Sequence, residues 1–339
     1  MLKANCRSGR PVRPGSVALV TVLLAGVVPW TAFAERASAQ SDRPFTMIAL
    51  PDTQVYSEFA NLAPIFAAQT QWAVASRDRL NTRFVSHLGD IVQKGANGGN
   101  MSEWIRADAA IDVLDNQLPY GVALGNHDYN VVSDKTSGSD VYRWYFGPQR
   151  YLGYPWYKGS STSGENHAQI FTGGTGSAFN ILHLTLEWKP DATTVAWAKS
   201  VMGAFPGLPV IISTHEHVRD PDSTGSGGGR SAAGQFTWSN LVFPEPRVLM
   251  VINGHFASGP TNVGGEYYQV GFNNLGLPVF EMLSDYQRYS NGGNGYLRVL
   301  KFDPRHDLLT VRTFSPTLNS FIIDTTSELR FALDLTSRA

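Results

Sequence analysis

Apolar residues along this chain come in short uninterrupted runs, separated by stretches whose apolar positions recur at helical spacing. "FTMIAL" (45–50), "RFVSHL" (83–88) and "YGVAL" (120–124) are the first three runs. "FNILHLTL" (179–186), "LPVIIST" (208–214) and "RVLMVI" (247–252) follow. Runs of this length with little polar alternation predict strands buried on both faces. Between the first two lies "APIFAAQTQWAVASRDRL" (63–80), alanine-rich with a helical period, and Ser102 is placed as the N-cap of "EWIRADAAIDVLDN" (103–116). Strands alternating with helices predict βαβ units and a mostly parallel sheet. Beyond about residue 265 the pattern changes to "PVFEMLSD", "GYLRVLKF" and "DLLTVRTF" with few helical stretches. These read as a second, more antiparallel sheet that closes the same domain. No linker or internal repeat divides the chain. "DPDSTGSGGGRSAAG" (220–234) reads as a mobile surface loop, its glycines matching no phosphate-cradling motif.

The first forty residues are of another kind. Lys3, Arg7, Arg10 and Arg13 precede "SVALVTVLLAGVVPW", and "AFA" and "ASA" follow. A basic start, an apolar middle and small residues at the end form a secretory signal peptide, so residues 1–39 read as a leader and 40–339 as one domain. A permanent anchor fits less well, because the apolar run is shorter than the ~20 residues a span needs. No adjacent arginine pair argues for twin-arginine export. Cys6, the single cysteine, precedes the apolar run and goes with the leader, which excludes disulfides and thiol catalysis from the mature chain. The location implied is periplasmic or secreted, with no stable membrane span after cleavage. A net charge of −1 over 339 residues leaves no basic footprint for nucleic acid.

The chemistry stands at the ends of the strands. "FTMIAL" is followed by Asp52 and Gln54, "RFVSHL" by Asp90, and "YGVAL" by Asn126, His127 and Asp128. "LPVIIST" is followed by His215 and His217, and "RVLMVI" by His255. Ligands of open α/β sheets bind beyond the carboxyl ends of strands, so these residues are assigned to one site. Carboxylate and amide oxygens with imidazoles, and no sulfur, suit divalent Mn, Fe, Zn or Mg. A carboxylate has two oxygens, so one Asp can bridge two ions about 3.5–4 Å apart, as phosphoryl transfer uses.

The ordered series "GD…GNHD…H…GH" resembles the calcineurin-like metallophosphoesterase superfamily, and the "LPDTQ" opening resembles a secreted bacterial branch of it. The likeness runs from Asp52 to the late "FSPTLNSFIIDTTSEL". It implies an α/β fold of two central mixed sheets flanked by helices, a four-layer α/β/β/α sandwich. It also implies two divalent ions and a small-molecule or phosphorylated ester substrate. Carried over by motif, Asp90 bridges the ions, Asp52 binds the first, and Asn126, His215 and His255 bind the second. His127 becomes the catalytic imidazole, donating to the phosphoryl oxygens or protonating the leaving alkoxide, with Asp128 holding its tautomer.

The chain departs from the family pattern twice. Gln54 stands where the opening D-x-H has its histidine, and Ala257 where the closing GH-x-H has its last one. Both changes fall on the first ion, leaving it Asp52, Asp90 and the Gln54 carbonyl, a weaker site. The rival reading is therefore a binding protein of the same fold with one metal and little turnover. His127 and Asp128 argue against it, since a binding module needs neither. A serine hydrolase is excluded because no G-x-S-x-G elbow occurs. Asn166, His167 and His217 are candidates for the substrate pocket, while His87 and His183 read as core residues and Asp285 to Tyr289 as a pocket wall or sheet cap.

Overall fold

In a computed structural model of the chain, described over residues 43–173, 179–222, 226–257 and 264–338, the apolar runs pair into two seven-stranded sheets. The expected leader, Cys6 included, lies outside the described residues. In the first sheet β1 (Phe45–Leu50), β2 (Thr82–His87) and β3 (Tyr120–Val122) run parallel. The chain then builds the second sheet with β4 (Tyr157–Ser160), β5 (His167–Thr172), β6 (Asn180–Thr185) and β7 (Val210–Ser213). A small ribbon of β8 (Val218–Arg219) and β9 (Gly229–Arg230) precedes β10 (Val248–Asn253), β11 (Glu266–Phe272) and β12 (Pro278–Ser284). The last strands, β13 (Leu297–Asp303), β14 (Leu308–Ser315), β15 (Ser320–Ile322) and β16 (Glu328–Ala332), return to the first sheet.

This corrects the expectation of a separate late sheet. β12 joins β10 in parallel in the second sheet, whereas β13 pairs antiparallel with β1 in the first. An apolar run shows that a strand is buried; which free edge receives it is settled by long-range packing.

The two faces of each central strand explain the unbroken apolar runs. Phe45, Met47 and Ala49 of β1 face the second sheet, where they join Ile211, Met250 and Phe280. Ile48 and Leu50 face the other way, onto Phe66 of helix Ala63–Ala75 and Trp104 of helix Ser102–Ile111. In β7, Val210 and Ile212 pack outward against Val195, Ala198 and Met202 of helix Ala192–Ala204. Three apolar layers therefore lie between four layers of structure. No helix among the described residues is long and apolar enough to cross a membrane.

Two local expectations shift. Ser102 is the first residue of its helix and Met101 the N-cap, because Asn100 Oδ1 already accepts the Ser102 N–H at 3.0 Å. The stretch 220–234 is only in part a loop: residues 223–225 lie outside the described ones, but β9 and helix Ala232–Thr237, capped by Ser231 Oγ on the Gly234 N–H, are regular.

Candidate metal centre

Asp90 Oδ2, Asn126 Oδ1 and His255 Nδ1 all meet at one atom, His215 Nε2, at 3.1, 3.0 and 3.2 Å. The other ring nitrogen of His215 donates to the Leu88 carbonyl at 2.9 Å, which turns Nε2 toward the cluster. Ligand atoms of Asp90, His215 and His255 lie within 4.8 Å of one another. Four groups that bind cations through lone pairs do not crowd together without positive charge among them. Burial alone would lower the pKa of His215, but the charges of Asp90 and Asp52 reverse that and raise it to about 10. His255 goes the other way, to about 3, through burial and the neighbouring His215 charge.

The backbone is shaped to bring the ligands in. Asp90 and His255 both have left-handed φ, 52° and 77°, a cost of about 1–3 kcal/mol each for non-glycine residues that functional sites tolerate. Two glycines of the motifs supply room. A Cβ on Gly125 would stand 2.1 Å from Asp90 Oδ1, and one on Gly254 would stand 2.0 Å from Asp52 Oδ1. Each ligand is also braced by the backbone of another: His127 N–H donates to Asp90 Oδ1 at 2.8 Å, and His255 N–H to both oxygens of Asp52 at 3.2 Å.

Asp52, Gln54 and Asp285 are buried as well. Gln54 donates its amide Nε2 to Asp90 Oδ2 at 3.3 Å, while its Oε1 is buried with no hydrogen-bond partner. An orphaned carbonyl oxygen beside buried carboxylates fits a cation that is bound there. Asp52 is held well above the ordinary carboxylate range by burial and by the charge of Asp285. Asp285, fully buried, is itself pushed up to about 6 by burial.

Asp128 does not orient His127. Its Oδ1 accepts the N–H groups of Ile91 and Val92 at 2.9 and 3.1 Å, and its Oδ2 that of Gly125 at 2.7 Å. The imidazole is oriented instead by the Gln93 carbonyl, 2.8 Å from Nδ1. A carbonyl can only accept, so Nδ1 carries a proton and Nε2 is left for the site. Asp128 is a staple that joins the "GDIV" and "GNHD" turns.

The three pocket candidates are taken up elsewhere. Asn166 Oδ1 accepts the Glu187 N–H at 2.9 Å and its Nδ2 donates to Ser161 Oγ. His167 opens β5, buried among Tyr151 and Tyr157. His217 Nε2 lies 2.8 Å from Glu281 Oε2, fully buried in a network with Arg230. Strand pairing and burial, rather than solvent, surround all three. His87 and His183 are buried as well, with Thr53 Oγ1 and Ser213 Oγ on their Nε2 atoms.

Sequence reasoning missed Glu216 within "HEH". Its carboxylate accepts the Trp188 indole N–H at 2.9 Å and lies 3.7 Å from His255 Nε2. It also read Asp285 only as a pocket wall or sheet cap, since no glycine or histidine flanks it.

A calcineurin-like phosphoesterase family model matches residues 46–258. Among curated proteins, the chain is 32% identical over 301 residues to the uncharacterized protein YvnB of Bacillus subtilis (strain 168), covering 87% of this chain and 22% of that protein. The chain thus spans about a fifth of that relative's length. Among solved structures, purple acid phosphatase PPD1 from yellow lupin (Lupinus luteus) seeds has a TM-score of 0.53 at 12% identity, over 88% of this chain and 55% of that one. That likeness shows the fold. A dimetal phosphatase from Danio rerio has a TM-score of 0.49 at 12% identity, over 87% and 100% of the two chains.

Proposed function

The chain belongs to the calcineurin-like phosphoesterase family, and on that premise we propose that it is an exported, metal-dependent hydrolase of a phosphomonoester or phosphodiester. The observation that carries the reading is the meeting of Asp90, Asn126 and His255 at His215 Nε2, within 3.2 Å. Asn126, His215 and His255 would hold one divalent ion, Asp52 and Gln54 the other, with Asp90 shared. Ions held there would supply Lewis acidity and lower the pKa of a water to near neutrality.

The protein's own groups do the rest. Asp90 is suited to sharing because one oxygen, Oδ2, touches both the His215 ring and the Gln54 amide, while the His127 N–H holds Oδ1 in place. His127, with Nδ1–H fixed on Gln93, presents Nε2 as the atom that can hold a proton for a departing alkoxide. A small ester substrate, carrying its own negative charge, suits a site that collects cations.

One experiment tests the reading. Protein is recovered from the periplasm or medium, where its intact mass should begin near Glu35 or Gln40. It is stripped with chelator and assayed on aryl phosphate, phosphodiesters and nucleotides with Mn, Fe, Zn or Mg added back. Turnover should vanish with the chelator, return with metal, and be nearly absent in Asp90→Asn. Metal uptake without hydrolysis of any ester would leave a binding protein instead.

A further inference from the structure

We infer that Asp285 completes the first metal site, making it an all-oxygen site of Asp52, Gln54, Asp90 and Asp285 for a hard divalent cation, Mn²⁺ or Mg²⁺. The inference rests on the two-ion reading above but not on any turnover.

Topology brings Asp285 to the right edge. β12 runs parallel to β10, with Leu283 opposite Asn253. His255 lies two residues past Asn253, and Asp285 two residues past Leu283, so both leave the sheet at the same end. A sixth strand thus delivers a metal-type side chain beside the five that the motifs mark. The backbone there is pinned: Asp285 N–H donates to the Gly265 carbonyl at 2.7 Å.

Charge is the second argument. Asp52, Asp90 and Asp285 are all buried, and among the described residues no lysine or arginine pairs with any of them. The His215 ring lies 3.1 Å from Asp90 Oδ2. Among the described residues the Asp285 side chain is held by Gln287, whose N–H and Nε2 donate at 3.0 and 2.9 Å. Carboxyl groups buried without a cationic side chain stay ionised only where a hydrogen-bond donor or a metal ion compensates them.

The third argument is independent of the acids. Gln54 is 2% exposed, its amide nitrogen is spent on Asp90, and its Oε1 has no partner. A buried carbonyl oxygen in that position is a ligand atom awaiting a cation. Without imidazoles at positions 54 and 257, the set contains oxygen only, and oxygen sets select Mg, Ca and Mn over the softer ions.

The test reads metal, not catalysis. Metal-free protein receives one equivalent of Zn²⁺ for the imidazole site and is then titrated calorimetrically with Mn²⁺. Asp285→Asn should keep the zinc equivalent while weakening Mn²⁺ at least 10–100-fold, about the loss that even an outer partner's removal causes. Metal-free Asp285→Asn should melt no lower than the parent, since an unpaired charge has gone. Asp285→Glu, which keeps the charge but moves it by a methylene, is the second variant and should also weaken Mn²⁺ with zinc retained. Gln54→Leu should act in the same direction. Parent-like Mn²⁺ affinity in the two Asp285 variants would overturn the assignment. An ester panel that shows no turnover would fail the phosphoesterase reading and leave this result untouched.

Discussion

Adjacent in sequence, His127 and Asp128 serve different ends, and their substitutions should separate. His127→Ala should retain both metal equivalents and lose about 10²–10⁴-fold in rate, the usual contribution of a general acid. Asp128→Ala leaves the N–H groups of Ile91, Val92 and Gly125 unpaired in a buried turn. At about 1–3 kcal/mol for each orphaned donor, it should unfold at markedly lower urea and lose metal together with stability. Parent-like urea unfolding with only a slower rate would return Asp128 to the orienting role its motif suggests. The clustered residues were legible because side chains of metal-binding type stand at the ends of buried strands. Gln93 was not, since a backbone carbonyl leaves no mark on residue type. Asp285 escaped because its partners come from the tertiary arrangement of β10 and β12.

Among the elements, β5 shows both what a strand pattern reveals and what it hides. "HAQIFT" is absent from the apolar runs that predict strands, yet it pairs antiparallel with β6 along its whole length. Edge strands such as β4 and β11, half exposed, carry too few apolar positions to stand out. The central strands were legible to within a residue or two. Pairing buries His167 at the start of β5, and burial lowers its pKa from 6.5 to about 3. The unfolded chain therefore takes up a proton first as pH falls, so stability present at pH 7 is lost from about 6.5 down toward 3. For one such ring the loss between pH 7 and pH 5 is about 2 kcal/mol. His183, lowered to about 3 in the same way, adds to it. His167→Phe should fit between Tyr151 and Tyr157 and shrink the acid loss by about one histidine's share, read from urea curves at the two pH values. An unchanged pH slope would show that His167 is solvated or charged in the native protein.

At the scale of the whole molecule, the four layers were implied by runs that alternate helix and buried strand, and the structure bears out the two-sheet class. How the late strands divide was not implied, because β12 and β13 differ little in pattern but go to different sheets. The braces between ligands now have a consequence in time. Asp52 is held by His255 from 203 residues away, and His215 by Leu88 from 127 residues away. Contacts of such sequence separation form late, after the chain has already closed its long loops. An ion can therefore hold only what has already been assembled. Interactions absent from the transition state change the rate of leaving the native state and not the rate of reaching it. Mn²⁺ or Zn²⁺ should slow unfolding in urea-jump experiments and leave the refolding limb where chelator leaves it. Faster refolding with metal would mean that the ends of the two sheets meet early, with the ion as part of the nucleus.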